Sequence, residues 1–137
     1  MFKALDLDHL AVATRDLDAA INTYRENFGL EAERWGEVPA LGIRNAVLPV
    51  GEAFIELITP LTGEGPVARF LEERGEGMYL ISIAVDDLDA AMADLRERGV
   101  RVMGEPVPIE GGRMAFVHPS STHGVLLQLV QRGPAAE

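Results

Sequence analysis

The stretch LDLDHLAVAT alternates with period two, which predicts a strand with Leu10 and Val12 on one side and His9, Ala11 and Ala13 on the other. The period then changes. Leu17, Ala20, Ile21, Tyr24 and Phe28 recur at helical spacing, Asp16 is placed to cap the first turn, Asp18 sits favourably near the positive helix end, and Gly29 supplies the stop. The same grammar returns later. MYLISIAV reads as a strand, Asp87 as a cap, Leu88, Ala91, Met92 and Leu95 as the buried stripe, and Gly99 as the stop. Three strand-like pieces follow each helix: LEAERW, IRNAVLP and AFIELIT in the first copy, VRVMG, RMAFVHP and GVLLQLV in the second. Pro49, Gly51, Pro119 and Gly124 mark the turns between them.

Two βαβββ modules in tandem are therefore predicted, an α+β chain whose curved mixed sheets, related by a pseudo-twofold, enclose a central cavity. The expected boundaries are 5–60 for the first module, 61–77 for a linker, 78–131 for the second module and 132–137 for a tail. Within the linker, Pro66 and Gly75 bracket a short helix. The DLDAA echo makes the repeat measurable, because Asp16 and Asp87 lie 71 residues apart.

Composition narrows the function classes. The 137 residues are 47% hydrophobic, enough for a real core, and carry a net charge of −10, which argues against general affinity for nucleic acid or an anionic membrane. There is no cysteine, so thiolate chemistry and disulfides are excluded. No apolar run approaches the roughly 20 residues of a membrane span, and MFKALDLDHL lacks a signal-peptide core; the expected location is the cytoplasm.

Counting from the repeated aspartates locates the candidate chemistry. His9 precedes Asp16 by seven residues, and the same step back from Asp87 reaches Leu80. Glu56, set between Ile55 and Leu57, matches Gln128, set between Leu127 and Leu129. A lone carboxylate among apolar neighbours is costly to bury without a cation or hydrogen-bond donors, so Glu56 points to a concave interior, with His9 or Arg44 as its expected partner otherwise. His9, Glu56, Leu80 and Gln128 are expected to meet at one central place.

These segments resemble the vicinal oxygen chelate superfamily, which groups glyoxalases, bleomycin-resistance proteins and extradiol dioxygenases. Within it the closest likeness is to the methylmalonyl-CoA epimerases, carried in order by LDHLAVATRDLDAAINTYRENFGLE, EVPALGIRNAVLPVG, FIELITPL, FLEERGEGMYLISIAVDDLDAA and AFVHPSSTHGVLLQLV. The resemblance implies a divalent metal held by four side chains at the positions of His9, Glu56, Leu80 and Gln128. His9 and Glu56 match the implied ligands, Gln128 keeps a carbonyl oxygen without a carboxylate's charge, and Leu80 offers no lone pair. Ala40, followed by Leu41, stands where the epimerases carry an acid, so with Gln128 both implied proton carriers are missing. The resemblance also implies a homodimer.

Two functions remain in view. In the first, His9, Glu56 and Gln128 hold Mg, Mn, Co, Ni or Zn as an incomplete ligand set, Glu56 being ligand or base, and the protein is a metal-assisted isomerase or lyase on a small acid or acyl-thioester such as an acyl-CoA. In the second it is a metal-free small-molecule binding protein of the resistance-protein type, with Leu80 and Leu41 making the cavity apolar. Ser82 shares the face of Leu80 and is a weak substitute for the lost ligand; Tyr79 faces the other way. PIEGGRMAF is expected to form a lid over the cavity, with Arg113 available to a ligand anion, while His118, His123, Trp35 and Tyr24 are read as turn or packing residues.

Overall fold

Residues 2–133 of the chain are described by a computed structural model. The predicted elements form: β1 (Ala4–Ala13), α1 (Leu17–Phe28), β2 (Arg34–Val38), β3 (Ile43–Val50), β4 (Ala53–Pro60), α2 (Pro66–Arg74), β5 (Gly77–Val85), α3 (Leu88–Glu97), β6 (Val102–Ile109), β7 (Gly112–Val117) and β8 (Leu127–Arg132). The chain divides into two compact units, one running from His9 to Tyr79, the other joining residues up to Asp8 with those from Leu80 onward. The expected tail over 132–137 lies mostly outside the described residues.

In the His9–Tyr79 unit the strand order is β2-β3-β4-β1, with β1 and β4 parallel and the other pairs antiparallel. A parallel pair needs a crossover, and α1 lies within it. Asp16 caps this helix by accepting from the Ala19 amide at 3.0 Å, and Gly29 ends it at φ 68, a left-handed conformation that glycine adopts without steric cost. One sheet face packs Leu48, Leu57, Ala46, Val12 and Ile55 against Leu17, Ala20, Ile21 and Tyr24 of the helix. Strand β2 begins at Arg34, later than LEAERW predicts, because Leu30 and Ala32 turn onto this core instead of pairing.

The other unit repeats the plan, ordered β5-β8-β7-β6 with β5 and β8 parallel. Asp87 accepts from the Ala90 amide at 3.0 Å, and Gln131 Oε1 accepts from the Leu88 amide at 2.8 Å, so side chains satisfy two of the free donors at the start of α3. Leu88, Ala91 and Met92 bury against Val85, Ala115, Val117 and Leu129. The start of the chain belongs here: Phe2 packs on this core, and Asp8 receives Arg132 through Nε at 3.2 Å and Nη2 at 2.6 Å. Among the described residues no helix is long and apolar enough to cross a membrane.

PIEGGRMAF forms a β-hairpin instead of an irregular loop. Glu110 and Gly111 form a tight turn between paired strands, Ile109 lying opposite Gly112. Gly112 is required by close approach, since a Cβ there would stand 2.1 Å from the backbone oxygen of Gln131 on β8. Gly112→Ala is expected to destabilise the fold by at least about 2 kcal/mol. Gly36→Ala, whose added Cβ would meet nothing within 4 Å, is expected to change stability by no more than about 0.5 kcal/mol. Denaturant unfolding of the two variants measures both.

Candidate functional site

In a strand, neighbouring side chains face opposite ways, and partners in register face the same way. Leu57 and Ile55 pack toward α1, so Glu56 must turn to the opposite face of β4. On β1 the residue in register with Glu56 is Ala11, which puts His9 and Ala13 on that face too; on β3 it is Val47, which adds Asn45. The helix-free face of this sheet therefore gathers His9, Asn45, Phe54 and Glu56.

Their side chains meet. His9 Nε2 lies 3.5 Å from Glu56 Oε1, and Asn45 Nδ2 donates to Glu56 Oε2 at 2.8 Å. The His9 ring stacks on Phe54 with centroids 4.5 Å apart and planes 12° from parallel, which fixes the imidazole orientation. His9 is 5% exposed, and the Glu56 side chain retains 17%. Arg44, the alternative partner, is exposed on the other face of β3. Asn45 was not foreseen; the available signal is a single amide between Ile43 and Val47 in an otherwise apolar strand face.

The registers of the second unit identify the equivalent positions. Ser82 pairs with Gln128 as Ala11 pairs with Glu56, and Phe116 pairs with Gln128 as Val47 pairs with Glu56. Leu80 is thus the counterpart of His9, and Met114 the counterpart of Asn45. All four of Leu80, Ser82, Met114 and Gln128 are buried. Ser82 Oγ and Gln128 Oε1 have no hydrogen-bond partner among the described residues, so this face carries polar atoms and no charge.

Arg113 requires correction. Its register partner Gln131 faces α3, and Arg113 does likewise, donating to both carboxylate oxygens of Asp89 at 3.2 and 3.0 Å. That hydrogen bonding holds the Asp89 carboxyl below its ordinary range. Ala40 is exposed in a short 3-10 turn, Pro39–Leu41, and Leu41 is half-buried there. Tyr79 faces away from Leu80, edge-on to Phe70 of α2, and burial raises its hydroxyl pKa against the opposing effect of Arg69. Trp35, expected to pack, is 69% exposed. His118 secures its own turn, its Nδ1 accepting from the Ser120 amide at 3.0 Å to cap Pro119–Ser121, whereas His123 occupies a left-handed conformation at φ 58.

The model of the Glyoxalase/Bleomycin resistance protein/Dioxygenase superfamily matches residues 8–116. The chain belongs to this superfamily. Similar members include bovine mitochondrial methylmalonyl-CoA epimerase, 34% identical over 128 residues that span 91% of this chain and 73% of that protein. The ethylmalonyl-CoA/methylmalonyl-CoA epimerase of Cereibacter sphaeroides is 35% identical over 129 residues, spanning 91% of this chain and 96% of its own. A solved Streptomyces coelicolor methylmalonyl-CoA epimerase variant, in complex with 2-nitronate-propionyl-CoA, superposes with a TM-score of 0.91 at 32% identity, covering 98% of this chain and 99% of that one.

Because the Ser82 hydroxyl is wholly buried with no partner among the described residues, Ser82→Ala is expected to stabilise the protein by about 1 kcal/mol. Urea unfolding reads the gain as a higher midpoint at unchanged slope. A lower midpoint would show that the hydroxyl is satisfied in solution.

Proposed function

We propose that this protein acts on the acyl-coenzyme A thioester of a small acid as a divalent-ion-assisted isomerase or lyase, and that it is a poor epimerase. The observation that carries the reading is the convergence of His9 Nε2 and Glu56 Oε1 at 3.5 Å, with Asn45 on the second carboxylate oxygen. Support for the substrate class comes from the related epimerases, named for methylmalonyl-CoA and ethylmalonyl-CoA.

The superfamily resemblance implies a divalent ion, and the donor set decides how far this chain accommodates one. Among the described residues no three His, Asp or Glu side chains cluster to hold a metal. His9 and Glu56 nevertheless form an imidazole and carboxylate pair aimed at each other, and Mg²⁺-type ions are commonly held by one or two protein carboxylates with water and ligand oxygens completing the shell. His9 and Glu56 would thus supply two donors, one nitrogen and one oxygen, to a weakly held divalent ion whose remaining positions fall to water and ligand oxygens. When bound, such an ion supplies Lewis-acid stabilisation of negative charge building on a carbonyl oxygen.

The chain's own groups do the rest. Phe54 holds the His9 ring, and the short bond from Asn45 restricts rotation of the Glu56 carboxylate. Inverting a stereocentre requires a proton to leave one face and return on the other, which calls for two proton-carrying groups. A neutral amide at Gln128 has no useful proton affinity, and Ala40 has no titratable group, so Glu56 is the carboxylate left to this reading.

Two measurements test the proposal. Methylmalonyl-CoA incubated with the protein in D₂O is expected to show epimerisation at least about a thousandfold below that of an epimerase with both acids present, the loss of a general acid–base group being worth about 10²–10⁴; rapid inversion would overturn the one-carboxylate reading. Purified protein is expected to take up Co²⁺ or Mn²⁺ and to lose that uptake in His9→Ala. A protein that binds acyl-CoA equally with and without metal would favour the metal-free binding role, for which Leu80 is the specific observation.

A further inference from the structure

Asn45 is the contact at this site that neither the repeat nor the family resemblance anticipates. It reaches Glu56 from β3, the antiparallel neighbour of β4, and its 2.8 Å bond commits one carboxylate oxygen. The other oxygen is directed to His9. A carboxylate's terminal torsion is broad and two-fold, so without such a bond either oxygen, or both, would be offered to a cation. The fold itself does not need an amide here, because the equivalent position in the second unit is Met114, fully buried on the face of the neutral Gln128.

We infer that Asn45 is a positioning residue that makes Glu56 a single-oxygen donor beside His9. This rests on the metal-assisted reading above. With Oε2 committed to Asn45, Glu56 would offer one oxygen to an ion held there, and a bound ligand could supply others. The bond also sets the donor direction before any ion arrives, which matters most in a site with few protein donors, where each orienting hydrogen bond carries a larger share of the affinity.

Mn²⁺ uptake by the full chain, followed through the loss of the free-ion electron paramagnetic resonance signal, tests the assignment. Asn45→Val is expected to weaken uptake by about tenfold, the usual effect of removing a group that orients a ligand. Its unfolding temperature should stay level or rise, since valine suits a strand. Asn45→Gln, which keeps the amide donor, should remain within about threefold of the parent protein if the role is the one assigned. Unchanged Mn²⁺ affinity in Asn45→Val, or a loss that only follows a fall in unfolding temperature, would overturn the inference. Failure of the parent protein to take up Mn²⁺ would instead bring down the metal reading. In that case the Asn45 side-chain amide resonances of the metal-free protein decide: a shift on Glu56→Gln supports the positioning bond, and no shift removes it.

Discussion

A negative charge placed between two apolar residues of a strand cannot follow them into the core. Ile55 and Leu57 pack toward α1, so backbone alternation turns Glu56 to the other face of the sheet, where it must find partners. Register supplies them. Ala11 and Val47 lie beside Glu56 with side chains small or short enough to leave room, and the residues two steps along those strands, His9 and Asn45, provide the contacts. The polar constellation is thus a consequence of where two strand pairings happen to be set; a one-residue slip of either would send its contribution to the helix side.

The second unit shows what the same framework does when the charge is absent. Capping by Asp87, the packed stripe of α3 and the parallel β5–β8 pair reproduce the first unit closely. Yet the positions equivalent to His9, Asn45 and Glu56 hold Leu80, Met114 and Gln128. With no carboxylate to stabilise, the first two of these positions hold apolar side chains, and Ser82 Oγ and Gln128 Oε1 are buried without a partner among the described residues. Arg113, the cation nearest in sequence, is drawn to Asp89 on the helix side, so it does not compensate. The asymmetry at these positions is chemical, and both units keep the same strand order and pairing sense around it.

Much of this was legible in the sequence because it depends on local physics. Period-two and helical spacings, aspartates that can cap and glycines that can turn left-handed act over a few residues, and they determined the βαβββ units, their helices and the equivalence of His9 with Leu80 and of Glu56 with Gln128. Three features were decided only by the tertiary structure. Asn45 became the partner of Glu56 through an antiparallel register that brings residues 11 positions apart within hydrogen-bond reach. Arg113 left the candidate site because its side chain lies on the α3 side of β7, and Gly112 proved to serve a close backbone approach to β8. Each depends on which strand lies beside which, and in what register. Hydrophobic patterning constrains that choice but does not specify it, since the energy that selects it comes from side chains distant in the chain.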